Sequence, residues 1–238
     1  MTDWLAPICA YCERSDTGFW AEPVNALSNA AFLVAAGLAA WRLRQGDRFD
    51  GPALALSALV AVVGVGSFLF HTLAVRWSLL ADVIPIALFI YGYVLLAMRR
   101  YFGLGLAAAI GATLGFAMLN LGLEPALDIV LGRATDALTN GSIAYVPAIL
   151  ALVGVAAGLL QPQGCDLGPA RARAGRGLLG VAALFALSLA VRTLDRAVCP
   201  VWPLGTHALW HILNAGVLYA LIRIAAEYRR RIPSPIAR

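Results

Sequence analysis

The chain has 238 residues, of which 61% are hydrophobic and only 13% are charged, and its mean hydropathy is +0.79. A water-soluble domain of this length carries about a quarter charged residues, so the composition excludes that class and indicates a protein of the lipid bilayer. The net charge of +5 comes from Arg alone, since the chain has no Lys, and most of these residues lie between apolar segments, which argues against a nucleic-acid-binding patch.

Residues 1–22 precede the first apolar run and form a polar N-terminal segment. This segment lacks the basic start and apolar stretch of a signal peptide, so the first helix is expected to act as its own insertion signal. A membrane-spanning helix needs about 20 predominantly apolar residues. Seven runs qualify, at about 24–41, 52–71, 78–98, 102–121, 141–160, 177–194 and 204–226. The sequence therefore predicts an all-α fold, a polytopic seven-helix membrane bundle forming one domain over residues 1–238.

The Arg residues are distributed unevenly between the two sides of the predicted bundle. One side holds Arg42, Arg44, Arg48, Arg99, Arg100, Arg171, Arg173, Arg176, Arg229, Arg230, Arg231 and Arg238. The other side holds mainly Arg14, Arg76, Arg133 and Arg196, with Arg192 near a helix end. Because cytoplasmic loops are enriched in basic residues, we predict a cytoplasmic C-terminus and an N-terminus outside. The Ala- and Arg-rich composition without Lys suggests a GC-rich bacterial genome, so the expected location of this multi-pass protein is a bacterial inner membrane.

The Cys residues divide along the same line. Cys9, Cys12 and Cys199 fall on the outer side, where oxidation is possible, whereas Cys165 falls inside. Cys9 and Cys12 have the spacing of half a metal knuckle, but the second Cys pair is missing. This favours a disulfide between Cys12 and Cys199, with Cys9 and Cys199 as the alternative pairing.

All three His residues fall at helix ends on the predicted outer side. His207 and His211 are four residues apart, so both imidazoles lie on one helix face, a common arrangement for two ligands of one metal ion. His71 closes the second span at similar depth and could supply the third ligand of a catalytic zinc site, with a position left open for water. A single interfacial His is more often only hydrogen-bonded, but the convergence of all three favours a metal site.

Two further polar residues lie beside this cluster. Asp82 is about one turn into the third span, where an acidic side chain is costly and therefore a functional candidate. Ser67 precedes His71 by four residues and shares its helix face. The structural alternatives are an ion pair between Asp82 and Arg76 and a hydrogen bond from Ser67 to its own helix. The grouping with the His residues favours a functional role for both.

Other polar residues near the outer side carry less weight. Asn214 lies one turn beyond His211 and could support it. We interpret Glu124, Asp128 and Asp136 as solvated charges in the connection after the fourth span.

Three segments around these residues follow a known pattern: Gly66-Ser67-Phe68-Leu69-Phe70-His71, Asp82-Val83-Ile84-Pro85 and His207-Ala208-Leu209-Trp210-His211. They resemble the alkaline ceramidase family, part of a superfamily of seven-helix membrane hydrolases that includes the adiponectin and progestin receptors. The N-terminal segment resembles the ceramidase branch in particular, through Cys12-Glu13-Arg14 and Phe19-Trp20-Ala21-Glu22-Pro23-Val24-Asn25-Ala26-Leu27-Ser28-Asn29.

The resemblance implies a zinc ion held by His71, His207 and His211, with Asp82 and Ser67 as catalytic residues. In the ceramidase branch the N-terminal segment also binds calcium, and the candidate ligands here are Glu13, Asp16, Glu22 and Asn25. The sequence departs from the family at two places. The Asp-Trp pair before the Cys is replaced by Ala10-Tyr11, and the acidic residue that often follows the catalytic Asp is replaced by Val83.

Together with these groups, the resemblance implies a zinc-dependent amidohydrolase that cleaves ceramide or a related N-acyl lipid to a sphingoid base or amine and a fatty acid. Zinc lowers the pKa of bound water toward about 7, Asp82 would move the proton, and Ser67 would donate a hydrogen bond to the developing oxyanion. The active site would lie toward the periplasmic face, with a membrane lipid as its partner. Two alternatives remain open: an ester-lipid hydrolase of the same superfamily, and a seven-helix receptor or sensor with a structural zinc.

Overall fold

A computed structural model describes residues 3–46, 48–162 and 168–231. Within these ranges seven helices are long and apolar enough to cross a membrane, so the predicted all-α, multi-pass fold is confirmed. They are α1 (Pro23–Arg44), α2 (Gly51–Leu73), α3 (Arg76–Tyr101), α4 (Leu106–Leu131), α5 (Ser142–Leu160), α6 (Pro169–Val198) and α7 (His207–Arg231). Cys165 and Arg238, both predicted to be cytoplasmic, lie outside the described residues.

The connection between α2 and α3 brings two predicted site residues onto neighbouring helices. Ala74 ends α2 in a left-handed conformation, with φ of 46°, and its N–H donates to the carbonyl of Phe70 at 2.8 Å. Such a residue closes a helix by satisfying one of its last carbonyls. The chain turns back within two residues, so His71 at the end of α2 and Asp82 near the start of α3 lie on antiparallel neighbours.

Helix α7 lies at the centre of the bundle. It packs against α1, α2, α3 and α6 and is the most buried of the seven spans. Helix α4 lies at the periphery and has almost no fully buried side chains, as expected for a helix that faces lipid. The residues of α7 therefore point into protein on several sides, which suits a helix that carries a buried site.

Two predicted boundaries differ from the structure by eight residues or more. The fourth span was predicted at 102–121, but α4 runs from Leu106 to Leu131, so Glu124 and Asp128 lie on a helix and not in a loop. The Asp128 carboxylate accepts hydrogen bonds from the N–H and hydroxyl of Thr135, at 2.8 and 2.6 Å, which makes an acidic residue tolerable at a helix end. Helix α6 begins at Pro169, eight residues before the predicted start at 177. The basic residues between these two positions are part of the helix and not of the connection before it.

Helices α2 and α3 are in direct backbone contact at Gly66. A Cβ added at this position would overlap the carbonyl oxygen of Ala81. We expect Gly66→Ala to lower the free energy of unfolding by about 1–3 kcal/mol, the usual cost of overpacking, as measured by thermal unfolding in detergent. Gly111→Ala is the matched control, because a Cβ there meets nothing within 4 Å, and its stability should stay near wild type. Equal stability of the two variants would contradict the close contact.

The N-terminal segment lies across the helix ends that carry the His residues. A disulfide joins Cys12 to Cys199, with Cα atoms 5.4 Å apart, so the segment is tied to the end of α6. An isolated β-bridge pairs Pro7 with Val75, and the N–H of Ile8 donates to the carbonyl of Ala74 at 2.7 Å. These two attachments hold the segment over both the α2–α3 connection and the end of α6.

Reduction of the Cys12–Cys199 bridge is expected to lower the free energy of unfolding by about 2–5 kcal/mol, because the bridge restricts the unfolded chain over a separation of 187 residues. Thermal unfolding with and without reductant measures this effect. The control is Cys9→Ser, since Cys9 is an exposed free thiol that should contribute little. Free thiols at both Cys12 and Cys199 in protein from an oxidising compartment would refute the bridge.

Candidate metal centre

Three buried His side chains meet where α2 ends and α7 begins. The ring centroids of His71, His207 and His211 are 4.6, 4.8 and 5.1 Å apart. One ring nitrogen from each lies within 4.8 Å of the others, and all three rings are shielded from solvent. Over residues 3–46, 48–162 and 168–231, no other group of His, Cys, Asp and Glu has the geometry to hold a metal ion.

Hydrogen bonding determines which nitrogen of His71 is free. Its Nδ1 lies 2.6 Å from Oε2 of Glu22. Burial raises the pKa of Glu22, but hydrogen bonds from His71 and Arg14 outweigh it and hold that pKa below its ordinary value. Glu22 is therefore a carboxylate, which can only accept, so Nδ1 of His71 carries the proton. Nε2 of His71 has no hydrogen-bond partner in the described part of the chain and is the ring nitrogen left to face a metal ion.

The same reasoning applies to His211. Its Nδ1 lies 2.7 Å from the hydroxyl oxygen of Ser28. That hydroxyl donates its single hydrogen to the carbonyl of Asn25 at 2.7 Å, so it accepts from Nδ1. Nε2 of His211 is left as the basic nitrogen, 3.5 Å from the hydroxyl oxygen of Ser67.

His207 is positioned by its backbone and by stacking. The Asp195 carboxylate accepts the N–H groups of Thr206 and His207, at 2.7 and 2.9 Å, and so caps the start of α7. It also accepts the N–H of Cys12 at 3.1 Å, which links the cap to the N-terminal segment. The ring of Tyr11 stacks on the imidazole with centroids 3.5 Å apart. Neither ring nitrogen of His207 has a partner among the described residues.

Asp82 and Ser67 complete the centre from adjacent helices. Asp82 is buried, has His71 and Ser67 as neighbours, and its Oδ1 has no hydrogen-bond partner among the described residues. The alternative ion pair with Arg76 does not form, since Arg76 is exposed and the ion pairs of the described side chains do not include Asp82. The hydroxyl of Ser67 faces Nε2 of His211 and makes no hydrogen bond to its own helix.

An apolar cavity of about 330 Å³ lies within the bundle, one helical turn from the centre. Its wall includes Ile86, one turn after Asp82, and Asn214, one turn after His211, and it continues along α3 to Phe102. The side-chain oxygen of Asn214 has no partner in the described chain, so the predicted support of His211 by Asn214 is not seen. A cavity with such a wall suits a hydrocarbon chain better than water.

The donor set fits a divalent transition metal. Imidazole nitrogens are ligands of zinc, copper, iron and nickel, and a carboxylate on the other ring nitrogen is the usual partner of a metal-bound His. Buried ring nitrogens without partners are costly unless something binds them. The three His residues could therefore hold a metal ion, with Asp82 and Ser67 beside it.

The sequence profile of the family described as Ceramidase matches residues 9–232, which include every residue of this centre. The chain belongs to the ceramidase family. No curated protein matches it significantly. Membership implies a hydrolase, and the spanning helices of this ceramidase-family protein fit a lipid substrate in the bilayer.

Two of the four predicted calcium ligands of this ceramidase-family chain are used in local hydrogen bonds. The carboxylate of Glu13 accepts the N–H groups of Val24 and Asn25, at 2.7 and 2.8 Å, and thereby holds the first turn of α1. Asp16 is exposed and accepts the N–H of Gly18 at 2.6 Å. These carboxylates act as acceptors for their own backbone.

Of the other two candidates, Glu22 pairs with a different cation and Asn25 donates a hydrogen bond to Glu22. Both oxygens of Glu22 are engaged, one by Arg14 and the other by His71 and the side-chain nitrogen of Asn25. Calcium takes six to eight oxygen ligands, but the positive charge buried among these groups is the guanidinium of Arg14. The prediction of a calcium site at Glu13, Asp16, Glu22 and Asn25 is therefore not supported.

Sequence reasoning missed several residues that position the His rings. Asp195 lies one residue beyond the predicted sixth span at 177–194, so the rule that singled out Asp82 did not reach it, and only the structure places it on α6. Ser28 lies in the segment that resembles the ceramidase branch, but nothing in the sequence pairs it with His211. In the sequence, Tyr11 is only a departure from the family pattern, and nothing there indicates that it stacks on His207.

Proposed function

We propose that this ceramidase-family protein is a zinc-dependent hydrolase that cleaves the amide bond of ceramide or a related N-acyl lipid. The observation that carries the proposal is the position of the three His residues and Asp82 one helical turn from an apolar cavity within a membrane bundle. A lipid with its amide at the His cluster could extend a hydrocarbon chain along α3. Among the metals that imidazole binds, we propose zinc, because three His ligands with one open position are typical of catalytic zinc.

The chain's own residues can divide the reaction between them. When bound, zinc supplies a Lewis acid that makes water nucleophilic at neutral pH. Asp82 takes a proton from the attacking water and returns it to the amide nitrogen, so that a C–O bond forms as the C–N bond breaks. Ser67 donates its hydroxyl hydrogen to the carbonyl oxygen as that oxygen gains charge. The products are a fatty acid and a sphingoid base or amine.

The surroundings of the site support this division of roles. Glu22 and Ser28 fix the ring orientations of His71 and His211, which leaves their Nε2 atoms facing inward. Among the described residues, Asp82 has an unpartnered oxygen and no competing ion pair, which leaves its carboxylate available to move a proton. Ser67 lies between His211 and Asp82, close to where a carbonyl at the centre would sit.

We also propose that the centre faces the periplasm of a bacterial inner membrane. The bound N-terminal segment, the disulfide and the three His residues share one end of the bundle, and the Arg-rich connections lie at the other. A stable disulfide requires an oxidising compartment, and basic connections favour the cytoplasm.

A lipid panel assayed together with metal analysis tests the proposal. The purified protein, loaded with zinc in lipid nanodiscs, is given ceramide, an ester analogue of identical chain length and a phospholipid, and the released fatty acid is quantified. We expect release from ceramide to exceed release from the others and to depend on zinc. Release of fatty acid from the ester analogue alone would show that the protein is an ester-lipid hydrolase and not an amidase. A zinc-loaded protein that hydrolyses none of them would favour a receptor or sensor.

A further inference from the structure

The buried side chain of Arg14 contacts three separate groups around the metal centre. Its Nε pairs with the carboxylate of Glu22, and both side chains are at least 96% buried, with relative exposures of 4% and 3%. One terminal nitrogen donates to the carbonyl of Asp16 at 3.1 Å, and the other donates to the carbonyl of His71 at 2.9 Å. The guanidinium of Arg14 therefore contacts the backbone carbonyl of His71 directly.

Arg14 also reaches the His71 ring through Glu22. The second carboxylate oxygen of Glu22 lies 2.6 Å from Nδ1 of His71. A carboxylate buried this deeply is strongly disfavoured unless a positive charge balances it. Arg14 supplies that charge, and its planar guanidinium, held by the carbonyls of Asp16 and His71, directs Nε at the carboxylate. The His71 ring and the His71 backbone are thus held by one side chain.

We infer that Arg14 is a positioning residue of the metal centre and serves as a built-in cation where the ceramidase resemblance implied calcium. It holds Glu22 against Nδ1 of His71, so that Nε2 faces the other two His residues before any metal binds. This inference rests on the metal site of the proposed function and is independent of the substrate. It follows that metal affinity depends on Arg14 and does not respond to calcium.

Zinc affinity, measured by chelator competition on the full-length protein in detergent, tests the inference. The variants are Arg14→Gln, which removes the positive charge, and Arg14→Lys, which keeps the charge but lacks the planar guanidinium. The matched control is Arg100→Gln, which breaks another buried ion pair, the 2.7 Å contact with Asp50 at the far end of the bundle. Thermal unfolding of each variant reports general stability. Each affinity is measured with and without saturating CaCl₂.

We expect Arg14→Gln to weaken zinc binding by about 10–100-fold, the usual effect of losing a partner that orients a ligand. Arg14→Lys should lose less zinc affinity than Arg14→Gln. Arg100→Gln should be less stable but keep the zinc affinity of the wild type. Calcium should not change the zinc affinity of the wild type. If Arg14→Gln does not fold, Arg14→Lys carries the test through a smaller loss of the same kind.

Three results would overturn the inference. The first is wild-type affinity in both Arg14 variants. The second is an equal loss of affinity in Arg100→Gln, which would reflect general destabilisation. The third is a calcium-dependent rise in the zinc affinity of the wild type. A wild-type protein that binds no zinc would instead refute the proposed metal site itself, and the inference with it.

Discussion

Replacing Asp82 with Asn is expected to slow amide hydrolysis by about 100-fold or more while zinc stays bound. Asn has the size of Asp but cannot take a proton from water, and general acid–base catalysis contributes about 10²–10⁴-fold. The three imidazoles, with their partners Glu22 and Ser28, are untouched by the change. The measurement is turnover per bound zinc, with zinc content determined on the same sample.

The control for Asp82→Asn is Asp50→Asn, which changes a buried carboxylate at the opposite end of the bundle. Asp50 pairs with Arg100 at 2.7 Å, so its loss should affect stability and leave turnover per zinc nearly intact. If zinc and activity fall together in Asp82→Asn, Asp82 is itself a metal ligand. Near-wild-type turnover in a zinc-loaded Asp82→Asn protein would show that the proton goes elsewhere, and the proposed mechanism would have to be abandoned.

The double substitution His207→Ala, His211→Ala is expected to reduce bound zinc from about one ion per chain to nearly none. A site with three protein ligands cannot retain zinc on one imidazole in competition with water. Each single substitution should remove most of the metal. Zinc is measured on purified protein after equilibration with a weak chelator.

Leu209→Ala provides the matched control, because Leu209 lies between the two His residues in sequence but is exposed on another face of α7. This variant should keep its full zinc content. Full zinc content in the double His variant would exclude the metal centre described above.

The sequence predicted those features that depend on local pattern. The seven apolar runs have the length of membrane spans, and the His and Asp residues are conspicuous because charged and metal-binding groups are rare at membrane depth. The end of α4 was predicted too early, because Glu124 and Asp128 resemble loop charges until Thr135 is seen to satisfy Asp128. Local pattern carries no information about such a partner.

The interactions that orient the His rings could not be predicted, because they join distant parts of the chain. Glu22 and His71 are 49 residues apart, and Ser28 and His211 are 183 apart. The four residues assigned to calcium do lie near one another, but a basic neighbour, Arg14, had been counted only as a loop charge. Charge balance in a buried cluster depends on which side chains meet, and spacing along the chain does not determine that.

The three His residues of this chain all lie in one buried cluster. A sample labelled with ¹⁵N-histidine and purified without a His tag would therefore give imidazole NMR signals from the metal centre and from nowhere else. The Nδ1 and Nε2 shifts of each ring report its tautomer directly. They would show the protons of His71 and His211 on Nδ1, and they would follow metal loading ring by ring without any substrate present.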